Sequence, residues 1–193
     1  MKKRTLVFVL IAIAVFPACA DNYTINSANS RIAFSVRHLL GTARGEFGKF
    51  AGTIEVDPSQ PERSSVNVKI QVASIDTKIR KRDDHLLSAE FFDAKQFPEI
   101  TFRSRSVKRT GPDRGDIVGN LTMHGITRPL TLHVKLATPL VAGAAPERTR
   151  WVVTTDPIRR KDFGLIFGST AETVSGIGKE VVPAIEIEAV RRH

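Results

Sequence analysis

The residues able to do acid, base or metal chemistry are few and scattered. The histidines are His38, His85, His124, His133 and His193. None forms an H-x-H or H-E-x-x-H pair, the spacings that place two imidazoles on one metal ion. Serines are plentiful, but no G-x-S-x-G elbow presents one as a nucleophile. The glycines make no phosphate-cradling loop ahead of a helix. These patterns point away from catalysis and from a resident metal or cofactor, and toward a protein that binds.

The densest local signal runs from Ala73 to Ser104. It holds a strand end, a charged turn, one or two short helices and a Phe-rich strand. Asp83 and Asp84 can accept backbone donors at a helix start, and so can Ser88 before Ala89-Glu90-Phe91-Phe92. Pro98 forbids further helix, and Ile100 and Phe102 then begin a period-two strand.

Residues 1–20 have the order of a cleaved signal peptide. Lys2, Lys3 and Arg4 are basic, Leu6 to Phe16 is apolar, and Ala18-Cys19-Ala20 has the small-x-small form of a peptidase site. The apolar run is short for a bilayer span. The chain is therefore expected to be exported to the periplasm and to start at Asp21. Acylation of Cys19 as a lipoprotein cysteine is the alternative, although Phe16-Pro17 poorly matches the residues that precede such a cysteine. The leader holds three of the 29 Lys and Arg, none of the 20 Asp and Glu, and the only Cys. No disulfide can then form in the remaining chain, whose length suits one domain, 21–193, with its own core.

A sequence pI near 10.1 would ordinarily suggest a nucleic-acid partner. Export argues against that, and the basic groups are dispersed without interleaved aromatics: Arg103/Arg105/Lys108/Arg109, Arg148/Arg150 and Arg159/Arg160/Lys161. A solvated outer face accounts for them, as does weak attraction to an anionic membrane surface.

The elements between these features are strands. Ile32/Phe34/Val36, Val66/Val68/Ile70/Val72, Leu130/Leu132/Val134/Leu136 and Ile185/Ile187 each alternate with polar residues. Period two with one apolar face is the pattern of antiparallel strands wet on one side. Turn signals fall at Asp57-Pro58, Gly111-Pro112-Asp113, His124-Gly125, Pro139 and Asp156-Pro157. Ala142–Arg150 and Phe167–Glu180 have loop composition. The fold class is all-β, with about eight strands. A closed barrel is favoured over a sandwich, because eight strands enclose room for side chains or one small ligand. Of the 11 phenylalanines, all but Phe8 and Phe16 lie past residue 20, against one Tyr and one Trp. Phe brings apolar area with no polar group to satisfy. Two readings follow: all of them fill a core, or some line a cavity for a long apolar ligand.

The order and spacing of motifs resemble the YceI-like family. The resemblance runs through Tyr23-Thr24-Ile25, Ser30 to His38 (S-x-I-x-F-x-V-R-H), Gly45-x-Phe47, Phe50-x-Gly52 and Ala73-Ser74-Ile75-Asp76-Thr77. It continues with Arg82-Asp83-x-His85-Leu86, Phe91-Phe92-Asp93 and Phe97-Pro98-x-Ile100-x-Phe102. Gly119-x-Leu121-Thr122-x-x-Gly125-x-Thr127 and Arg160-x-Asp162-Phe163-Gly164 complete it. Asn29 departs from the family pattern, which often has His before Ser30.

The resemblance implies an extended, lipocalin-like barrel of eight antiparallel strands with a helical segment beside it. It also implies binding of a polyisoprenoid or similar long amphiphile in an apolar tunnel. Carried onto this chain, the tunnel walls would be Phe34, Val36, Phe47, Val68, Ile70, Phe91, Phe102, Leu132, Val134 and Phe163. The mouth would be Arg37, His38, Arg82, Asp83, His85, Arg160 and Asp162, where an arginine fork can hold a charged head group. The alternative for Arg82–Asp83 and Arg160–Asp162 is a structural ion pair fastening the helical segment to the barrel. Two other functions stay in view. One is a quinone-holding accessory to membrane electron-transfer enzymes, and the other is a core-filled interaction module. A homodimer is compatible with either.

Overall fold

The computed structural model describes residues 20–137, 146–166 and 176–192. Residues 1–19, and with them nearly all of the expected leader, lie outside them, as do Pro139, His193, Phe167 and parts of both loop stretches. The alternating runs form strands β1 (Asp21–Ile25), β2 (Arg31–His38), β3 (Gly41–Phe47), β4 (Phe50–Val56), β5 (Ser65–Gln71) and β6 (Ile75–Asp76). After the helical segment come β7 (Glu99–Arg109), β8 (Arg114–Met123), β9 (Ile126–Leu136), β10 (Arg148–Thr155), β11 (Ile158–Arg159) and β12 (Glu180–Arg191).

These segments make eight staves, because four staves are each broken once. β1 and β2 lie end to end against β12, and β3 and β4 lie end to end against them. β5 continues into β6 along the same neighbour, and β10 into β11 along β12. Every pairing is antiparallel, and contact between β1 and β12 closes the ring. The expected eight-stranded barrel is the observed fold. The described strands lie between Asp21 and Arg191.

The breaks in neighbouring staves align. Gly48 donates to the Ser74 carbonyl at 3.0 Å, and Gln71 donates to that of Lys49 at 2.9 Å, so two interruptions share one seam. Beside it, the Ser27–Asn29 turn separates β1 from β2. Glu188, only 4% exposed, accepts there from Asn29 Nδ2 (2.7 Å), Asn26 Nδ2 (2.9 Å) and Arg150 Nη2 (3.1 Å). The unusual Asn29 thus fastens the kink to β12. Arg148 and Arg150, read from sequence as part of a solvated face, both pair with Glu188.

The turns follow their chemistry. His124-Gly125 joins β8 to β9 with φ of 51° and 71°, the left-handed pair a two-residue hairpin requires. Asp57 Oδ1 accepts from the backbone of Ser59 and Gln60 and shapes the β4–β5 turn.

The helical segment holds one of the one or two short helices expected, with a different start and a different role for Ser88. α1 spans Arg80–Leu87, starting ahead of Asp83, and Ser88 ends it. The Ser88 hydroxyl donates to the His85 carbonyl, and Asp93 turns left-handed at φ 44°. Burial of Phe91 and Phe92, packed edge to face at 5.2 Å, pulls this stretch into the core as turns, so no second helix forms.

Candidate functional site

Period two puts one face of every stave inside. On β5 these are Val66, Val68 and Ile70; on β9, Leu130, Leu132, Val134 and Leu136; on β12, Ile185 and Ile187. β7 needs a correction of parity. Ile100 and Phe102 face inward, but so does Val107, because the register against β8 slips between Ser104 and Ser106. One extra residue turns every later side chain over. The Ser104 hydroxyl accepts from Val66 N at 2.8 Å at the bulge.

These side chains surround a cavity of about 1060 Å³ running the length of the barrel. From Ile100 to Val107 the wall covers about 23 Å of strand, at ~3.3 Å per residue. The inward residues divide into two groups. Ile100, Phe102, Ile117 and Leu121 are buried, whereas Phe34, Val66, Val68, Ile70, Leu130, Leu132 and Val134 are only half-buried although they point to the interior. Inward apolar groups stay accessible only if the interior is hollow. Two glycines make room for rings: a Cβ on Gly119 would stand 2.4 Å from Phe102 Cζ, and one on Gly45 2.5 Å from Phe34 Cζ. Phe34 also tilts against Phe47 at 5.6 Å.

Polar groups occur at the two ends of the cavity. One end has Asp57, Ser64, Arg109, Asp113 and Arg114 around the β4–β5 and β7–β8 turns. The other end is bounded by the β2–β3 hairpin, α1 and the turn at Arg160–Phe163. Its polar lining is His38, Arg44, Thr77, Arg82 and Arg160. Thr77 is 6% exposed and its hydroxyl joins two side chains of α1. It donates to Asp83 Oδ1 at 2.5 Å and accepts from Arg82 Nε at 2.8 Å, while Arg82 Nη2 donates to the Thr77 carbonyl. Arg160, 3% exposed, donates to the carbonyls of Gly178 and Leu165 at 2.9–3.0 Å.

The residues expected at the walls all line the cavity except Phe163. Phe163 is 4% exposed and packs in the core cluster, its carbonyl facing His124 Nδ1 at 3.2 Å. Of the expected mouth residues, His38, Arg82 and Arg160 reach the cavity. Arg37, Asp83, His85 and Asp162 are not on its lining. Arg37 is exposed, Asp83 is engaged with Thr77, His85 lies 3.2 Å from Glu90, and Asp162 pairs with Arg159 at 3.2 Å. Sequence reading missed Arg44, Met123, Trp151 and the inward face of β12. The Ile185/Ile187 alternation marked that face, but only the sheet shows that it looks inward. Among the described residues no three His, Cys, Asp or Glu are grouped to hold a metal ion. No described helix is long and apolar enough to cross a membrane.

Comparison with known proteins agrees with this geometry. The model of the YceI-like domain matches residues 23–189. Protein YceI of Salmonella arizonae is 41% identical over 141 residues, covering 70% of this chain and 73% of its own length. Among solved structures, Burkholderia cenocepacia BcnA superposes with a TM-score of 0.77 at 24% identity, over 86% of this chain and 99% of that one. A polyisoprenoid binding domain from Saccharophagus degradans, implicated in plant cell wall breakdown, superposes with a TM-score of 0.65 at 18% identity. That match covers 88% of this chain and 98% of that one. The family match spans nearly the entire barrel, and the chain belongs to the YceI-like family.

Proposed function

We propose that the protein binds a long-chain amphiphile, of the polyisoprenoid class, lengthwise in the barrel, and carries it through the periplasm. The observation that supports this most strongly is the hollow interior, walled by apolar side chains that remain half-buried. The cavity, at about 1060 Å³, slightly exceeds the ~300–1,000 Å³ usual for small-molecule sites. Its length suits a chain better than a compact ring system. Each buried CH₂ contributes about 0.8 kcal/mol, so a dozen carbons can bind tightly with little polar contact. The cationic end, with Arg44, Arg82 and Arg160, suits a polar or anionic head group. The polyisoprenoid-binding relative and the leader-like residues 1–20 support the same reading. An isoprenoid quinone is the redox-active member of this ligand class, and its ultraviolet absorbance in an organic extract distinguishes it from a redox-silent lipid.

The sole tryptophan, Trp151, lines the cavity and reports on it. Titration with isoprenoid alcohols of increasing length should change its emission. Affinity should rise about fourfold per added CH₂, from ~0.8 kcal/mol each, until the tunnel is filled. Emission unaffected by every chain length, in protein first stripped of lipid, would contradict the proposal.

A further inference from the structure

The tip of the β2–β3 hairpin is unlike the other turns. His38 pairs with Gly41, so Leu39 and Leu40 alone form the loop. Two-residue loops normally carry Asn or Gly with positive φ. Among the described non-glycine residues, positive φ occurs only at Lys78, Asp93 and His124. Leu39 and Leu40 are 77% and 91% exposed, the two most exposed large apolar residues described. Neither turn geometry nor packing accounts for them. Ile79 and Ile166, 52% and 49% exposed, stand at the same end of the barrel. That end is the cationic mouth of the cavity.

The charges around this apolar tip are biased. Glu46 and Asp76 are engaged by Lys78, Asp162 by Arg159 and Asp83 by Thr77. Arg37, Arg44 and Lys179 form no ion pair among the described residues; Glu180 is the neighbouring acid likewise without one. Arg37 precedes the tip, Arg44 follows it, and Lys179 is held beside it through the Gly178–Arg37 backbone bond of 2.6 Å. Exposed leucines ringed by available cations match an anionic lipid surface, where acyl chains accept the leucines and headgroups the cations.

We infer that the β2–β3 hairpin tip docks the cavity mouth onto anionic membranes, inserting Leu39 and Leu40 between headgroups. A lipid could then pass between bilayer and tunnel without crossing water. Docking needs no occupant in the tunnel, so it stands or falls separately from the proposed ligand.

Flotation of the 21–193 chain with mixed phosphatidylglycerol–phosphatidylcholine vesicles, against pure phosphatidylcholine, tests this. Binding should require the anionic lipid and weaken with salt. Leu39→Ser with Leu40→Ser should reduce it at least about tenfold. Arg37→Glu and Lys179→Glu should each reduce it about fivefold or more. Val118→Ser and Arg105→Glu, exposed elsewhere on the barrel, should leave it nearly unchanged, and melting temperatures of all variants identify any that unfold. Absence of wild-type binding would overturn the inference. So would equal loss from Arg105→Glu, which would mean diffuse attraction to a basic surface, or full binding by the folded leucine variant.

Discussion

Phe102 lies across a glycine on the neighbouring strand, and that pairing sets the shape of the tunnel wall. A Cβ on Gly119 would meet Phe102 Cζ at 2.4 Å and the Arg103 carbonyl oxygen at 2.5 Å. Backbone cannot give way cheaply, so the ring and strand would both have to shift. Gly119→Ala should destabilise the protein by about 1–3 kcal/mol, as overpacking does; chemical denaturation measures it, and an unchanged midpoint would refute this packing. The same pairing shows what was readable at this scale. Gly119 and Gly45 stood in recognisable motifs, but their partners Phe102 and Phe34 become apparent only across the sheet. Phe163 illustrates the reverse, an aromatic motif residue whose ring fills the core behind the wall. Arg82 and Asp83 are adjacent in sequence, yet their shared partner is the Thr77 hydroxyl, which stood in a recognisable motif without any sign of that role.

At the scale of elements, alternation revealed the strands, and turn residues placed their ends. It could not reveal the bulge at Ser104–Ser106, because both residues are polar and carry no inside-or-outside signal. The break between β1 and β2 was equally silent, since its fastening depends on Glu188, which is more than 150 residues from its partners Asn26 and Asn29. Hydrogen bonds from Asn29, Asn26 and Arg150 outweigh burial and hold the Glu188 carboxyl below its ordinary value of 4.5. A depressed acid stabilises the fold above its unfolded pKa, and that contribution disappears as pH falls through the lower folded value. Wild-type stability should therefore drop as pH falls below about 4.5. Glu188→Gln should be less stable at neutral pH and lose less on acidification. Urea midpoints across that range check the sign; parallel profiles for the two proteins would show that Glu188 does not fasten the kink.

For the whole molecule, the all-β class and the approximate strand number were legible from alternation and turn residues, whereas one-faced strands suit a sandwich as well as a barrel, and the motif resemblance carried that choice. Whether the barrel was hollow was not legible. Leu132 in a filled core and Leu132 on a tunnel wall have the same sequence context, and only the summed volume of the opposing side chains separates them. At this level the function rests on whether the hollow holds a lipid. Native mass spectrometry of the protein purified from its own cells, compared with the same sample under denaturing conditions, tests it most directly. The native spectrum should carry an added mass that is lost on denaturation and recovered in the organic extract as an isoprenoid or similar chain. Phe102→Asp, which puts an unpaired charge in the chain's path, should lack that mass while retaining a β-sheet circular dichroism spectrum. A wild-type native mass equal to the bare polypeptide, with no lipid in the extract, would mean that the barrel carries no lipid.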